Sequence, residues 1–180
     1  FWFGPMGLFL KKGRDGRLYY AKSFIYPLAA APFFRLFGNH GILLFNGLMI
    51  LAVLLMGFLL LRQHHDPAKS FAMTLIYLFS SVTIIYVWWI TADLFNFFIN
   101  FTALFFFFYE FKKPAWNLLA GVFFAAAVFS KPNNLLHIGL LFLLLLYQKK
   151  WKKFFIMALI SVLVVAGFIA FYYAQTGSFN

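Results

Sequence analysis

Cysteine is absent from the 180 residues, and acidic side chains are scarce, with only Asp15, Asp66, Asp93 and Glu110 present. Without cysteine there are no disulfides, thiolate nucleophiles or cysteine-ligated metals within these residues. The sequence also lacks an HExxH motif, a glycine-rich phosphate loop and a nucleophile–base–acid set. The residues alone therefore exclude several common catalytic designs.

Charge of either sign is also sparse, since 11% of the residues are charged while 64% are hydrophobic. A water-exposed domain of this length has no means of hiding so much apolar surface, so lipid must solvate most of the chain. We therefore predict an all-α, polytopic integral membrane protein. Because the chain opens on Phe1 and stops at Asn180, we expect it to be a fragment truncated at both ends.

Apolar runs separated by charges, proline and asparagine predict about six transmembrane helices, each needing about 20 residues to cross the hydrocarbon core. The six predicted segments are Gly41–Leu61, Ser70–Trp89 or Thr91, Ala92–Tyr109, Trp116–Ser130, Asn134–Tyr147 and Phe154–Ala174. The fourth and fifth segments are short. They are either two full spans or a re-entrant pair.

The loops between these segments carry basic residues unevenly, and this predicts an orientation. Three alternate loops hold Arg62, Lys69, Lys112, Lys113, Lys149, Lys150, Lys152 and Lys153, whereas the other two hold Lys131 alone. The positive-inside rule places the basic loops in the cytoplasm. The same rule explains much of the net charge of +11, so we expect no nucleic-acid partner.

The same parity puts residues 1–40 on the outer face, ahead of a transmembrane domain at 41–180. Their six cations conflict with the simple charge rule. Either the topology is inverted or something anionic binds there, and we favour the second. Gly13–Gly16 signals a turn, and prolines break the apolar stretch after it. Two short interfacial helices around a polar turn are predicted.

Two charged residues in the predicted outer loops are candidate site residues, because charge at a span end is costly. Asp93 either simply opposes the dipole of the helix that it begins or also binds a sugar hydroxyl or a metal ion. Lys131 either snorkels to the interface or binds a phosphate of an outer-leaflet substrate. Pro132 ends the helix before it.

Other polar groups are weaker candidates. Tyr20, Lys22 and Tyr26 combine aromatic rings with a cation, a composition that suits a sugar or lipid head group and equally suits interfacial anchoring. Asn134 and His137 are predicted to share a polar pocket, with the histidine buried. His64–Asp66 is predicted to be a solvated loop rather than a metal cluster.

Three stretches together resemble the GT-C membrane glycosyltransferases, in particular family 39 and its protein-mannosyltransferase-like branch. They are Tyr20–Leu28 continuing to Gly38, Thr91–Phe98, and Gly121–Ser130 with Lys131-Pro132. Their order and spacing are those of the family's first outer loop and helices two to seven. The usual proline pair is replaced by Ser23-Phe24, so the local loop conformation departs from the family pattern.

The resemblance implies an enzyme that transfers a hexose or pentose from a polyprenyl-phosphate donor on the outer face of the bacterial inner membrane. Its catalytic acid is expected upstream of Phe1, and Asp15 comes too late to serve. Lys131 and Lys22 are the implied phosphate ligands. Asp93 is the implied ligand for the acceptor, the donor sugar or a divalent metal ion, while Tyr20, Tyr26 and Asn134 are further substrate contacts.

Two other functions are compatible with these residues. A transporter or flippase of lipid-linked intermediates also needs outer cations, but it predicts more charge deep within helices and related repeats. A non-catalytic membrane scaffold is the third alternative.

Overall fold

The computed structural model describes residues 2–3, 9–13, 16–20, 23–89, 91–109 and 115–177. Seven α-helices and a 3₁₀ helix follow a small sheet, so the predicted helical class is confirmed. The α-helices are α1 (Ile25–Phe37), α2 (Asn39–Arg62), α3 (Pro67–Phe79), α4 (Ala92–Phe108), α5 (Ala115–Ser130), α6 (Asn134–Tyr147) and α7 (Trp151–Thr176). The 3₁₀ helix is Val82–Val87, between α3 and α4.

The first predicted interfacial helix is wrong, because strands occupy that part of the chain. β1 (Trp2–Phe3), β2 (Phe9–Lys12) and β3 (Leu18–Tyr20) form an antiparallel sheet in the order β1-β2-β3. Aromatic residues favour strands, and the Gly4-Pro5 and Gly7 breaks disfavour a helix. The second of these segments is helical as predicted, and it forms α1.

The turn predicted around residues 13–16 joins β2 to β3, in the register Lys12 opposite Leu18. The Gly13 N–H donates to the Arg17 carbonyl over 2.8 Å, and Gly16 adopts a φ of 79° that suits glycine. Arg14 and Asp15 lie outside the described residues.

The predicted span at residues 70–89 is also wrong as one continuous helix. It divides into α3, which ends at Phe79, and the 3₁₀ helix. The Ser81 hydroxyl accepts from the Thr83 N–H over 3.2 Å and caps the second piece, where β-branched residues disfavour the α conformation. At 13 residues, α3 is only about 20 Å long.

Two helices, α2 and α7, are long and apolar enough to cross a membrane by length and composition. The other predicted segments form the shorter apolar helices α4, α5 and α6. Both long helices expose large apolar side chains, including Leu51 at 62% and Val162 at 65%. Such side chains have no partner within the described fold, so each helix presents an apolar outer surface.

The buried core lies where α5 packs between α4 and α7. Phe124 on α5 is fully buried and contacts Phe107 on α4 and Phe142 on α6. Gly121 allows the close approach of α7, since a Cβ there would lie 3.1 Å from the Met157 carbonyl oxygen. The end of α4 meets the start of α5, where Phe106 stacks on Trp116, so these two helices run in opposite directions.

A second close approach joins α1 to α2 and gives a direct test of the fold. An added Cβ at Gly41 would collide with the backbone carbonyl of Phe33, which has no room to move without shifting α1. Gly41→Ala is therefore expected to destabilise the protein by about 1–3 kcal/mol. Thermal unfolding in detergent measures the change, at about 3 °C per kcal/mol.

Gly47→Ala is the matched control, since a Cβ at Gly47 on the same helix would meet nothing within 4 Å. Alanine is the better helix former, so this variant is expected to be as stable as the wild type or more stable. Equal melting temperatures for Gly41→Ala and the wild type would contradict the packing of α1 on α2.

Candidate functional site

The two principal site residues predicted from sequence lie next to each other in space. Lys131 Nζ is 3.3 Å from Asp93 Oδ1, although the residues are 38 positions apart. Both side chains are about half exposed. An ion pair in contact with solvent is weak, so either partner can exchange the other for a charged or hydroxylated ligand.

Helix direction explains this juxtaposition. Asp93 lies in the first turn of α4, while Lys131 follows the last residue of α5, its antiparallel neighbour. The Lys131 N–H donates to the Ala127 carbonyl over 3.0 Å and closes the last turn of α5. Pro132 prevents the helix from continuing. Both residues therefore lie at one end of the bundle.

The start of α4 adds an electrostatic contribution to the site. Thr91 occupies the N-cap position with extended backbone, but its hydroxyl makes no capping bond. Helix N-termini carry partial positive charge and favour anions within the first turn. Asp93 lies in that first turn and beside the Lys131 ammonium, so two sources of positive charge flank its carboxylate.

Four polar side-chain atoms near this end are buried and have no hydrogen-bond partner among the described residues. They are Tyr26 Oη, Asn46 Oδ1, Thr91 Oγ1 and Asn96 Oδ1. An unsatisfied buried polar atom costs about 1–3 kcal/mol. A bound hydroxylated ligand or water would satisfy these atoms.

Aromatic packing and backbone bonds place the members of this set around the junction of α1, α2 and α4. The Tyr26 ring lies 5.6 Å from the Phe95 ring and 6.4 Å from the Phe45 ring. Burial raises the pKa of the Tyr26 hydroxyl, so it stays a neutral donor at physiological pH. Tyr26, which the sequence predicts to contact substrate, is thus a buried hydroxyl next to α4.

Asn46 is a site-supporting residue that the sequence reasoning missed. It is fully buried, and its Nδ2 donates to the carbonyls of Val87 and Trp89, at 3.1 Å each. These bonds tie the segment before Asp93 to α2. The available signal was an asparagine inside an otherwise apolar 24-residue helix, a costly placement that calls for a partner.

Asn134, predicted as a substrate contact, stabilises the turn between α5 and α6. Its side chain is buried, and Nδ2 donates to the Ala127 carbonyl over 2.8 Å. That bond satisfies a carbonyl at the end of α5. His137, predicted to be buried beside it, is exposed on α6.

The remaining predicted site residues belong to the first 40 positions. Tyr20 pairs through its backbone with Leu10 in the sheet, and its side chain lies outside the described residues. Lys22 lies outside them as well. The nearby Phe24 ring contacts Phe129 at 5.4 Å and Phe171 at 5.0 Å, which anchors the start of α1 at the same end as Lys131.

The described residues contain no group of three or more histidine or acidic side chains that could hold a metal ion. Asp93 has a lysine as its charged neighbour. His64 and His65 are exposed, and Asp66 caps α3 by accepting from the Lys69 N–H over 3.0 Å. The arrangement at Asp93 is thus a carboxylate, an ammonium and buried hydroxyl and amide groups.

Comparison of the chain with protein-family models, with curated proteins and with solved structures found no match in any of the three. The function is therefore inferred from the residues of the site.

Proposed function

We propose that this chain is part of a membrane glycosyltransferase, resembling GT-C family 39, that takes a sugar from a polyprenyl-phosphate donor on the outer face of the bacterial inner membrane. The main support is the 3.3 Å approach of Asp93 to Lys131. Two of the three stretches that carry the family resemblance supply these residues. The pair offers a cation for phosphate and a carboxylate for hydroxyl groups.

The proposed chemistry is displacement at the anomeric carbon of the donor. A carboxylate, expected from the family before Phe1, removes the proton of the acceptor hydroxyl. As the acceptor oxygen bonds to the anomeric carbon, the bond to the phosphate oxygen breaks and the polyprenyl phosphate leaves. Lys131 would stabilise the charge that develops on that phosphate, and Asp93 would orient a sugar or acceptor hydroxyl.

The position of charge within helices favours an enzyme over a transporter. In the described ranges, every charged side chain on an α-helix lies in a first or last turn. A pathway for lipid-linked intermediates needs polar and charged groups along the depth of the membrane. Among the described residues, the buried polar atoms that lack a hydrogen-bond partner are instead concentrated around the start of α4.

We further propose six membrane crossings, formed by α2, by α3 with its 3₁₀ extension, and by α4 to α7. The apolar surface of the shorter helices supports this, since Ile76 on α3 and Leu140 on α6 are each 67% exposed. Local thinning of the bilayer accommodates helices shorter than its core. Asp93 and Lys131 then lie outside, and Lys149–Lys153 lie in the cytoplasm.

The absence of cysteine from the 180 residues permits a direct topology test. Single cysteines at Asn133 and at His64, both exposed, are introduced into the full-length protein from which any other cysteines have been removed. A membrane-impermeant maleimide is expected to label Asn133→Cys in intact cells and His64→Cys only after permeabilisation. Labelling of both in intact cells would contradict the proposed crossings between them.

The enzymatic proposal is tested with the full-length protein in sealed vesicles, supplied from outside with radiolabelled polyprenyl-phosphate mannose, glucose or pentose. Transfer of label from one of these donors to a membrane or envelope fraction supports it. Movement of the intact donor across the bilayer without transfer would favour the flippase alternative. Nucleotide sugars serve as the control donor and are expected to be inert.

A further inference from the structure

A cavity of about 470 Å³ lies at the opposite end of the bundle from Asp93, where α4 ends and α7 begins. It is separate from the proposed sugar-transfer site by the length of α4, about 25 Å. Its lining combines aromatic, amide and basic side chains, among them Phe107, Trp116, Asn117, Gln148, Lys150 and Lys153. A second cavity, of about 410 Å³, shares Asn117, Lys150 and Lys153 with the first.

Lys153 is held in a fixed position in this lining. Its Nζ donates to the Phe107 carbonyl over 2.6 Å and lies 4.3 Å from the centre of the Phe107 ring. The ammonium has three N–H donors, so this bond uses one of them. Lys150 lies exposed at the N-cap of α7 and contributes a second cation to the same cavity.

The described part of the chain places no carboxylate against these cations. Its two acidic side chains are Asp66 and Asp93, and each is paired elsewhere, with Lys69 and Lys131. Lys149 and Lys152 add further positive charge next to the cavity. A basic cavity beside apolar walls is suited to a ligand that joins an anion to an apolar body.

We infer that this cavity binds the phosphodiester head group of an anionic phospholipid in the leaflet that faces the basic end. The phosphate would contact Lys150 and Lys153, while Trp116 and Phe106, stacked at 5.6 Å, form an apolar wall. The exposed Leu140 and Leu143 on α6 provide a surface for the acyl chains. The inference rests on the proposed membrane setting, but it does not depend on sugar transfer.

The test compares phosphatidylglycerol with phosphatidylcholine of the same acyl chains, both added to the delipidated full-length protein and counted by native mass spectrometry. The wild type is expected to retain phosphatidylglycerol preferentially. Lys150→Gln and Lys153→Gln are each expected to lower that preference about fivefold. Lys153→Arg, which keeps the charge and a donor for the Phe107 carbonyl, is expected to retain it.

Arg62→Gln is the matched control, because it removes one exposed cation at the end of α2, among the basic loops but outside the cavity. An equal loss of preference in Arg62→Gln and Lys150→Gln would overturn the proposal, since it would show only diffuse surface charge. Displacement of phosphatidylglycerol by inorganic phosphate, but not by chloride of equal ionic strength, would assign the cavity to free phosphate and overturn the lipid assignment. Because Lys150 is exposed, Lys150→Gln is expected to fold as well as the wild type.

Discussion

Lys131→Ala in the full-length protein is expected to lower sugar transfer from a polyprenyl-phosphate donor by about 10²–10³-fold, with little change in melting temperature. The large effect follows because a preorganised cation acts on charge that develops only as the phosphate departs. Asp93→Asn is expected to lower transfer as well, since the amide loses the carboxylate's charge. Initial rates in sealed vesicles, at saturating donor, measure both.

The Asp66–Lys69 pair supplies a matched control, because its Nζ–Oδ2 distance of 3.2 Å is close to that of the site pair while it lies in another loop. Lys69→Ala is expected to leave transfer unchanged. Exchange of the site pair, Asp93→Lys with Lys131→Asp, separates two roles. If the exchanged pair restores full transfer, the residues serve only to hold α4 against α5, and their assignment to substrate is wrong.

Asn46→Leu is expected to destabilise the protein by about 2–4 kcal/mol. Leucine has the same number and branching of side-chain heavy atoms but no donor, so the carbonyls of Val87 and Trp89 lose the two 3.1 Å bonds that satisfy them. The segment that leads into Asp93 is loosened at the same time. Sugar transfer per folded molecule is therefore also expected to fall. Denaturant or thermal unfolding, with transfer normalised to folded protein, measures both effects.

Asn100→Leu is the control for this prediction. Asn100 Nδ2 donates to the Asn96 carbonyl one turn back along α4, over 2.8 Å, and that carbonyl lies within the same helix. Its loss is expected to cost less than about 1 kcal/mol. Equal destabilisation by both variants would mean that Asn46 does not fasten α2 to the 3₁₀ segment.

The approach of Asp93 to Lys131 illustrates how much of the site the sequence can predict. Local rules place Asp93 at a helix start and Lys131 at a helix end, and alternation of the helices puts both at one end of the bundle. The 3.3 Å contact requires in addition that α4 and α5 be packed neighbours. Packing of that kind depends on side-chain shape over the whole interface, which hydropathy does not report.

The errors have equally local causes. Hydropathy over residues 70–89 is continuous, whereas the Ser80-Ser81 step breaks the helix through hydrogen bonds that a hydropathy window ignores. The ten-residue apolar run at the start of the chain is too short for its hydrophobic period to distinguish helix from strand. Antiparallel pairing of β1, β2 and β3 makes these residues strands rather than the predicted helix. The bond from Asn134 to the Ala127 carbonyl is likewise not visible in the sequence, because it depends on how the turn between α5 and α6 folds.

The bonds from Asn46 to the Val87 and Trp89 carbonyls also bear on the order in which the protein assembles. In the proposed membrane setting, a non-helical segment is tolerated only where other protein groups satisfy its backbone. Synthesis from the N-terminus delivers α2 to the bilayer before residues 80–91 leave the ribosome, so the donor for those carbonyls is already in place when they arrive. If that setting holds, the segment is stable as a partner of α2 rather than alone, and its insertion depends on the helix made before it.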